Sequence, residues 1–305
     1  VSVAVKETVE MPACLFDEPM SRHTSWRVGG PADAYYRPTS IAELRALLQA
    51  LPRDLPLTWV GLGSNLLVRD GGLRGAVVAT THLAGRIEHL GSGRVRACAG
   101  ATCARLARQC TRWHLGPAAF FAGIPGTVGG ALAMNAGAFG AETWERIVSV
   151  ETIDREGNIE TRSRNEFAIG YRSVTGPTDA WFVSATWQLE TDAAIDMSAI
   201  REMLARRAAT QPTGQASCGS VFRNPVGDFA GAIIERAGLK GARVGGAFVS
   251  EKHANFIVND GSATAADIEA LIAEIRERVA RETGVSLELE VRIVGAPTRG
   301  DGDVG

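Results

Sequence analysis

The densest chemical information in the chain lies in two glycine clusters. The first is Gly61-Leu62-Gly63-Ser64-Asn65-Leu66, and it follows a short β-type run. The second is Gly123-Ile124-Pro125-Gly126-Thr127-Val128-Gly129-Gly130, and it continues to Asn135-Ala136-Gly137. Clustered glycines let a backbone approach a ligand closely and aim its amides at phosphate oxygens. Two such loops in one chain predict a pyrophosphate gripped from two sides, as a dinucleotide cofactor requires. The second loop runs into an apolar helix start, the geometry that holds anions at a helix N-terminus. Asn135 offers its amide to the same ligand. The first loop alone is weaker evidence: it lacks the lysine of a P-loop and does not satisfy GxGxxG, so a tight turn explains it as well.

Other residues are candidates for the reaction itself. Gly219-Ser220-Val221-Phe222-Arg223-Asn224-Pro225 places a hydroxyl in a glycine turn beside a cation and an amide, a set that can bind phosphate. A turn entering a strand, with Arg223 solvated, accounts for the same residues equally well. Gly-x-Ser-x-Gly is absent, which argues against a nucleophilic serine. Tyr171-Arg172 reads as the end of a short helical segment, and Arg172 by itself as a solvated charge. Glu288 and Glu290 share one face of the last strand, which reads by itself as an exposed edge. Of the five histidines, His253 has the most motif-like setting, and no HxH or HxxxH pattern occurs. Cys14, Cys98, Cys103, Cys110 and Cys218 form no CxxC pair, so structural thiols are expected and no metal site.

The elements that must position these groups follow from periodicity. Residues 34–36 form a strand ending before Pro38. Ser40 to Glu43 is a capping box that opens a helix with Leu44, Leu47, Leu48 and Leu51 on one stripe. Strands follow at 57–60, leading into the first loop, and at 76–80. Two more lie at 87–90 and 95–97 around a Gly91-Ser92-Gly93 turn. A helix from Thr102 carries Leu106, Cys110 and Trp113. A hairpin covers 147–153 and 158–162, and a second capping box, Ser163 to Glu166, opens a short helix. A strand runs over 181–189 and an arginine-rich helix over 199–209. The last part holds a helix at 230–237, strands at 247–249 and 255–258, and a helix from Thr264 to Glu282 with Ile268, Leu271, Ile272, Ile275 and Val279 at 3–4 spacing. Gly284 stops it, and a final strand covers 287–294. The fold class is α+β, built from α/β subdomains. The tail from Ala296 is expected to be disordered.

Composition bounds the partners. The chain has 305 residues, 45% hydrophobic and 22% charged, with a formal net charge of −2. That balance gives no electrostatic reason to expect nucleic acid or an anionic membrane. No apolar run reaches the ~20 residues of a membrane helix, and residues 1–10 lack a signal-peptide core. A cytoplasmic monomer is expected.

Seven motifs in order resemble the UDP-N-acetylenolpyruvoylglucosamine reductase family. They are Thr24 to Ala32, Gly61 to Leu67, Gly123 to Gly130 with Met134 to Gly137, Tyr171-Arg172, Ser217 to Pro225, Lys252 to Phe256, and Glu290 to Gly295. The resemblance implies a two-subdomain FAD-binding module of the vanillyl-alcohol-oxidase type, followed by a C-terminal α+β substrate domain. The corresponding boundaries are an N-terminal extension (1–20), FAD subdomains at 21–82 and 83–205, a substrate domain at 206–295 and a tail at 296–305. It implies non-covalent FAD held by both glycine loops, with Val28, Gly29 and Gly30 nearby, and NADPH as hydride donor. Hydride would pass from flavin N5 to C3 of UDP-N-acetylglucosamine enolpyruvate. Arg172 would meet the resulting enolate, Glu290 would be protonated or orienting, and Ser220 would protonate C2. Arg223, Asn224, His253 and Asn255 would serve the substrate. Only eight residues separate Arg172 from Trp181, so the chain resembles the shorter type without a tyrosine-bearing loop. Thr210 stands where many members have a lysine. Two rival readings are another flavin oxidoreductase of this architecture and a nucleotide-sugar binding protein without redox function.

Overall fold

The computed structural model describes residues 10–83 and 85–298. The first unit contains β1 (Ala13–Pro19), β2 (Pro31–Arg37), α1 (Ile41–Ala50), β3 (Leu57–Val60), β4 (Leu66–Val68) and β5 (Leu73–Ala79). Its sheet has the order β1-β2-β5-β3, with β2 and β3 parallel to β5. The residues expected as an N-terminal extension are part of this sheet from Ala13 onward. β1 pairs antiparallel with β2, and Leu15 packs on the core while Phe16 faces out. Helix α1 starts at Ser40, whose Oγ accepts from the Glu43 amide. Glu43 does not close the box on Ser40; its carboxylate instead takes the amide and hydroxyl of Thr39.

The second unit contains β6 (Ile87–Gly91), β7 (Arg94–Cys98), α2 (Cys103–Arg112), β8 (Leu115–Gly116), α3 (Val128–Met134), β9 (Gly137–Ala138), β10 (Ala141–Glu142), β11 (Ile147–Ile153), β12 (Ile159–Ser163), β13 (Ala168–Gly170), β14 (Ser173–Thr175), β15 (Trp181–Gln188) and β16 (Glu190–Thr191). Five of these strands form an antiparallel sheet, β12-β11-β15-β7-β6. Alternating apolar residues on β7, β11 and β15 cover α2 and α3. Cys103 and Cys110 sit in this core, and burial pushes both thiols up to about 12, which suits a packing role. Tyr171-Arg172 ends no helix: the two residues are the turn between β13 and β14, with Gly170 opposite Ser173 and Arg172 at φ 52°. The short apolar-polar run 168–175 alternates at period two and pairs with itself. The second capping box opens only a single 3-10 turn, Arg164–Glu166.

Helix α4 (Met197–Thr210) packs Ile200 onto the second unit. The third unit follows with α5 (Ala230–Arg236), β17 (Arg243–Val244), β18 (Ala247–Val249), β19 (Ile257–Asn259), α6 (Ala265–Thr283) and β20 (Arg292–Val294). α6 buries Ile268, Leu271, Ile272, Ile275 and Val279 in one stripe, and Gly284 ends it at φ 72°. The expected strand over 287–294 is divided. Residue 289 bridges Phe222, whereas β20 pairs in parallel with β4 of the first unit, Ile293 opposite Leu67. The chain therefore changes partner at Glu290. The start of the tail is also ordered: the Ala296 amide donates to Gly72 O and its carbonyl accepts from Gly71. Residues 299–305 lie outside the described residues.

The first and third units are joined at the start of α6. Asp70 accepts from the amides of Ala265 (3.0 Å) and Ala266 (2.9 Å), so a loop of one unit caps a helix of another. Arg69 grips Glu269 with two parallel bonds of 2.9 and 2.7 Å. Asp70→Ala is expected to lower stability by about 1 kcal/mol, within the range of lost N-caps. Chemical denaturation would measure it, and an unchanged midpoint would show that the cap contributes nothing.

Candidate active site

The two glycine loops meet over one large cavity of about 1060 Å³, closed on its third side by residues 218–220, Glu290 and Arg292. The loops touch directly. A Cβ on Gly61 would lie 2.5 Å from Thr127 Oγ1, and one on Gly126 would lie 2.8 Å from Ser64 Oγ. Ser64 Oγ donates to Pro125 O at 2.8 Å. Glycine is therefore required at this crossing because no side chain fits. The amides of Gly63, Ser64 and Asn65 donate to no protein acceptor among the described residues, so they remain available to an anion. At the start of α3 the first three helical amides are already used. Val128 and Gly129 donate to Ala101 O and Ala99 O, and Gly130 donates to Thr127 Oγ1. Just before the helix, the amides of Gly126 and Thr127 likewise donate to no protein acceptor among the described residues, so both loops carry free amides.

Val28, Gly29 and Gly30 do not line the cavity. Val28 is buried, and a Cβ on Gly30 would lie 2.0 Å from Asp70 O. Close backbone packing explains these glycines. Among the described residues, the charged groups lining the cavity are Arg172, Arg206, Arg207 and Arg292, against Glu290 as the only carboxylate. Such a surface favours polyanionic ligands.

Arg172 is held by three acceptors. Its Nε donates to Glu290 Oε1 (3.1 Å), and its Nη atoms donate to Asn135 O (3.3 Å) and Gly137 O (3.0 Å). The Arg172 side chain is 16% exposed and that of Glu290 12%. Glu288, two residues away, is 76% exposed, so only one of the two glutamates faces the cavity. Burial raises the pKa of Glu290 above the usual carboxylate range, against the opposing pull of Arg172 and Arg223. Arg223 Nη2 donates to Arg172 O and braces the turn.

Ser220 lines the cavity after Gly219, which has φ 75°. Its loop is clamped just beyond the serine. Asn255 O accepts from Val221 N, while Asn255 Oδ1 and Nδ2 pair with Phe222 N and O at 2.9 and 2.8 Å. The Asn255 side chain is thus used in holding the loop. Asn224 accepts from Ala230 N at the start of α5, and His253 Nδ1 accepts from Asn255 N. Neither Asn224, His253 nor Asn255 lines the cavity, and burial lowers the His253 pKa. The side chains of Asn224, His253 and Asn255 are thus engaged in holding the serine loop and the start of α5.

Asn135 is engaged by the scaffold in the same way. It is 1% exposed, caps α3 in the left-handed region at φ 48°, and lies outside the cavity lining. Its Nδ2 donates to Glu142 Oε2 (2.7 Å) and Gly170 O (3.1 Å), and its Oδ1 accepts from Trp144 N. The side chain thus ties the strand entering the Arg172 turn, while the backbone carbonyl receives the guanidinium. The sequence reading missed Trp59 and Trp181, whose rings stack at 5.0 Å and line the cavity, and also Arg206, Arg207 and Glu142. The usable signals were Trp59 two residues before Gly61 and the adjacent arginines before Gln211. Asn135→Ala is expected to destabilise the protein by about 2 kcal/mol or more, since buried partners lose their bonds. Asn135→Gly should be milder by about 1 kcal/mol, because glycine accepts the left-handed backbone. Equal losses in denaturation would show that the backbone conformation does not matter there.

Comparison with known proteins agrees with this arrangement. The FAD binding domain family matches residues 32–163, including both glycine loops. The UDP-N-acetylenolpyruvoylglucosamine reductase C-terminal domain family matches residues 211–294, including Ser220 and Glu290. A reductase of that name from Alkalilimnicola ehrlichii is 57% identical over 279 residues, covering 91% of this chain and 93% of that protein. One from Methylococcus capsulatus is 58% identical over 282 residues, covering 92% and 93%. The crystal structure of the enzyme from Thermus caldophilus superposes with a TM-score of 0.78 at 30% identity, over 92% of this chain and 98% of that one. With the two glycine loops, Arg172, Ser220 and Glu290 meeting at one cavity, these matches show that the chain belongs to the UDP-N-acetylenolpyruvoylglucosamine reductase family and is a flavin-dependent oxidoreductase.

Proposed function

We propose that this chain reduces the enolpyruvyl ether of UDP-N-acetylglucosamine to UDP-N-acetylmuramate, with NADPH as reductant, in the cytoplasmic stage of peptidoglycan synthesis. The observation that carries this reading is the convergence of Arg172, Glu290 and Ser220 on the cavity of the free glycine-loop amides. The residues present fit FAD. Gly63, Ser64 and Asn65 have amides free for the pyrophosphate, the loop crossing excludes a Cβ, and the lining is strongly cationic. When bound, FAD supplies the two-electron carrier between NADPH and C3 of the enolpyruvyl group. Among the described residues no helix is long and apolar enough to cross a membrane. A monomer remains part of the proposal.

The protein's own groups handle the charge and the proton. Hydride at C3 leaves negative charge on C2 and the carboxylate, an enolate-like dianion. Arg172 presents a planar cation already anchored by the Asn135 and Gly137 carbonyls, so little reorganisation is needed to meet that charge. Ser220 gives its proton to C2, closing the addition of H⁻ and H⁺ across the double bond. A hydroxyl is a poor acid in water, but the acceptor is a strongly basic carbon and water in the open cavity restores the proton. The neutral acid is the form of Glu290 that suits the reaction. Burial already favours its neutral form, and an incoming substrate carboxylate adds like charge. As an acid it can donate a hydrogen bond to the enolate without repelling it.

Anaerobic stopped-flow absorbance at the flavin band tests this. NADPH should bleach the band and the enolpyruvyl sugar nucleotide should restore it; bleaching without recovery would leave a flavoenzyme of another substrate. For Ser220→Ala, bleaching should proceed normally while recovery slows by about 10²–10⁴-fold or more, as for a lost general acid. Equal slowing of both phases would exclude the proton-donor role.

A pH series follows from Glu290. Its folded pKa is raised, so the neutral form and the stability it confers are fully present below the ordinary carboxylate pKa. Both are lost as pH rises through the raised value. The recovery rate should therefore fall with rising pH across that window, and Glu290→Gln should remove this limb while keeping a reduced rate. A rate that instead falls towards acid would show that Glu290 works as the carboxylate.

A further inference from the structure

Arg172 has a second acidic neighbour. Glu142 Oε1 lies 3.9 Å from its Nη1, while Glu290 Oε1 takes its Nε at 3.1 Å. One guanidinium is thus shared by two carboxyl groups. Glu142 does not line the cavity, so it can act on the reaction only through Arg172.

The fold brings Glu142 to this place by several contacts. Glu142 stands opposite Gly137 in the β9–β10 ladder. A Cβ on Gly137 would lie 3.1 Å from both Arg172 Nη1 and Glu142 Cγ, so the two side chains approach each other over a bare Cα. The Gly137 carbonyl meanwhile accepts from Arg172 Nη2 at 3.0 Å. Asn135 Nδ2 donates to Glu142 Oε2 at 2.7 Å and fixes the carboxylate by its other oxygen. Among the described residues Arg172 is the only cation within ion-pair distance of Glu142. The nearest acidic group on its own segment is Glu145, whose Oε1 accepts from the Glu142 amide.

The charge balance of the site gives this contact its meaning. The reaction asks for a charged Arg172 and a neutral Glu290. A largely buried guanidinium is costly without a counter-charge, and a neutral Glu290 cannot supply one. The more exposed Glu142 carboxylate supplies it at less cost in hydration. The charged groups facing Glu290 are Arg172 from the β13–β14 turn and Arg223 from the serine loop, with Arg292 two residues further along its own segment. Arg223 already has Glu288 at 3.8 Å. Burial raises the Glu290 pKa, and Arg172 and Arg223 oppose that rise. A carboxylate that shares Arg172 weakens its pull on Glu290 and so favours the neutral acid.

We infer that Glu142 is a positioning residue of the reaction: it is the counter-ion of Arg172, and by sharing the guanidinium it leaves Glu290 to act as the neutral acid. The inference rests on the proposed function for the role of Glu290.

The test titrates Glu290 directly. Carbon-13 is placed in the glutamate carboxyl groups of the FAD-loaded protein, and the Glu290 resonance is assigned by its loss in Glu290→Gln. Its titration midpoint is read by nuclear magnetic resonance without substrate. Glu142→Gln keeps an acceptor for Asn135 and removes only the charge. Arg172 then pulls on Glu290 alone, so the Glu290 midpoint should fall by about half a pH unit or more. Glu142→Asp, which draws the carboxylate back by one methylene, should give a smaller fall. Glu145→Gln removes an exposed charge that contacts neither Arg172 nor Glu290 among the described residues, and should leave the midpoint within about 0.2 pH. With the enolpyruvyl sugar nucleotide, the falling limb of the recovery rate should move to lower pH in Glu142→Gln by the same amount. A midpoint that stays or rises in folded Glu142→Gln overturns the inference, and so does an equal fall in Glu145→Gln. Should Glu142→Gln fail to fold, Glu142→Asp decides, and an unmoved midpoint there overturns it. If the sugar nucleotide does not restore the flavin band, the proposed function fails by itself, while the titration without substrate still decides whether Glu142 holds Arg172 off Glu290.

Discussion

The parallel pairing of β20 with β4 is the contact on which the site depends. It joins the last strand of the chain to the strand leaving the first glycine loop, with Arg292 N donating to Asn65 O at the junction. Just upstream, Glu290 N donates to Val221 O, so the same segment also fastens the serine loop. Asn65 Nδ2 donates to Glu290 O, tying the loop to the glutamate itself. One stretch of backbone thus sets the separation of the free amides, Ser220 and Glu290. The join is reinforced away from the site by Arg69–Glu269 and the Asp70 cap on α6. Trp26, fully buried, adds a third weld by donating to Ile257 O.

Electrostatics then gives this frame its chemistry. Four arginines against one glutamate would repel each other in a dry cavity. The arrangement is tolerable because the cavity is open to water and its expected ligands are polyanions. Arg172 is the exception, since fixed acceptors hold it in place. Its 3.1 Å contact with Glu290 does not by itself imply large stabilisation, because partial burial costs a charged group its hydration. What the pair provides is position. Two backbone carbonyls and the Glu290 carboxyl group leave the Arg172 guanidinium few alternatives, and Asn135 holds the turn that presents it.

Much of the architecture was legible in local pattern. The leucine stripe of α1, the 3–4 spacing of α6 and its Gly284 stop, the strand before Gly61 and the 147–163 hairpin follow from side-chain periods that need no distant partner. The errors fall where pairing is non-local. Nothing near Ala13 announces β2 as its partner, and nothing near Arg172 distinguishes a two-residue hairpin turn from a helix end. The 287–294 run looked like one strand because its residues suit a strand throughout. Its change of partner at Glu290 is a property of two other units.

The site divides along the same line. The residue types and order of the glycine loops, Arg172, Ser220 and Glu290 were present in the sequence, because chemistry demands particular functional groups. So was the resemblance to one enzyme family, which the comparisons bear out. Which groups face the cavity is set only by tertiary structure. Asn135 and Asn255 are as polar as any ligand-binding residue, yet their hydrogen-bonding capacity is used by buried backbone and side-chain partners. Arg207 reads as one more helix-surface charge, yet the fold brings it to the lining of the cavity. A sequence specifies which donors and acceptors exist. Their use depends on what lies within about 3 Å, and that is set by packing between segments far apart in the chain.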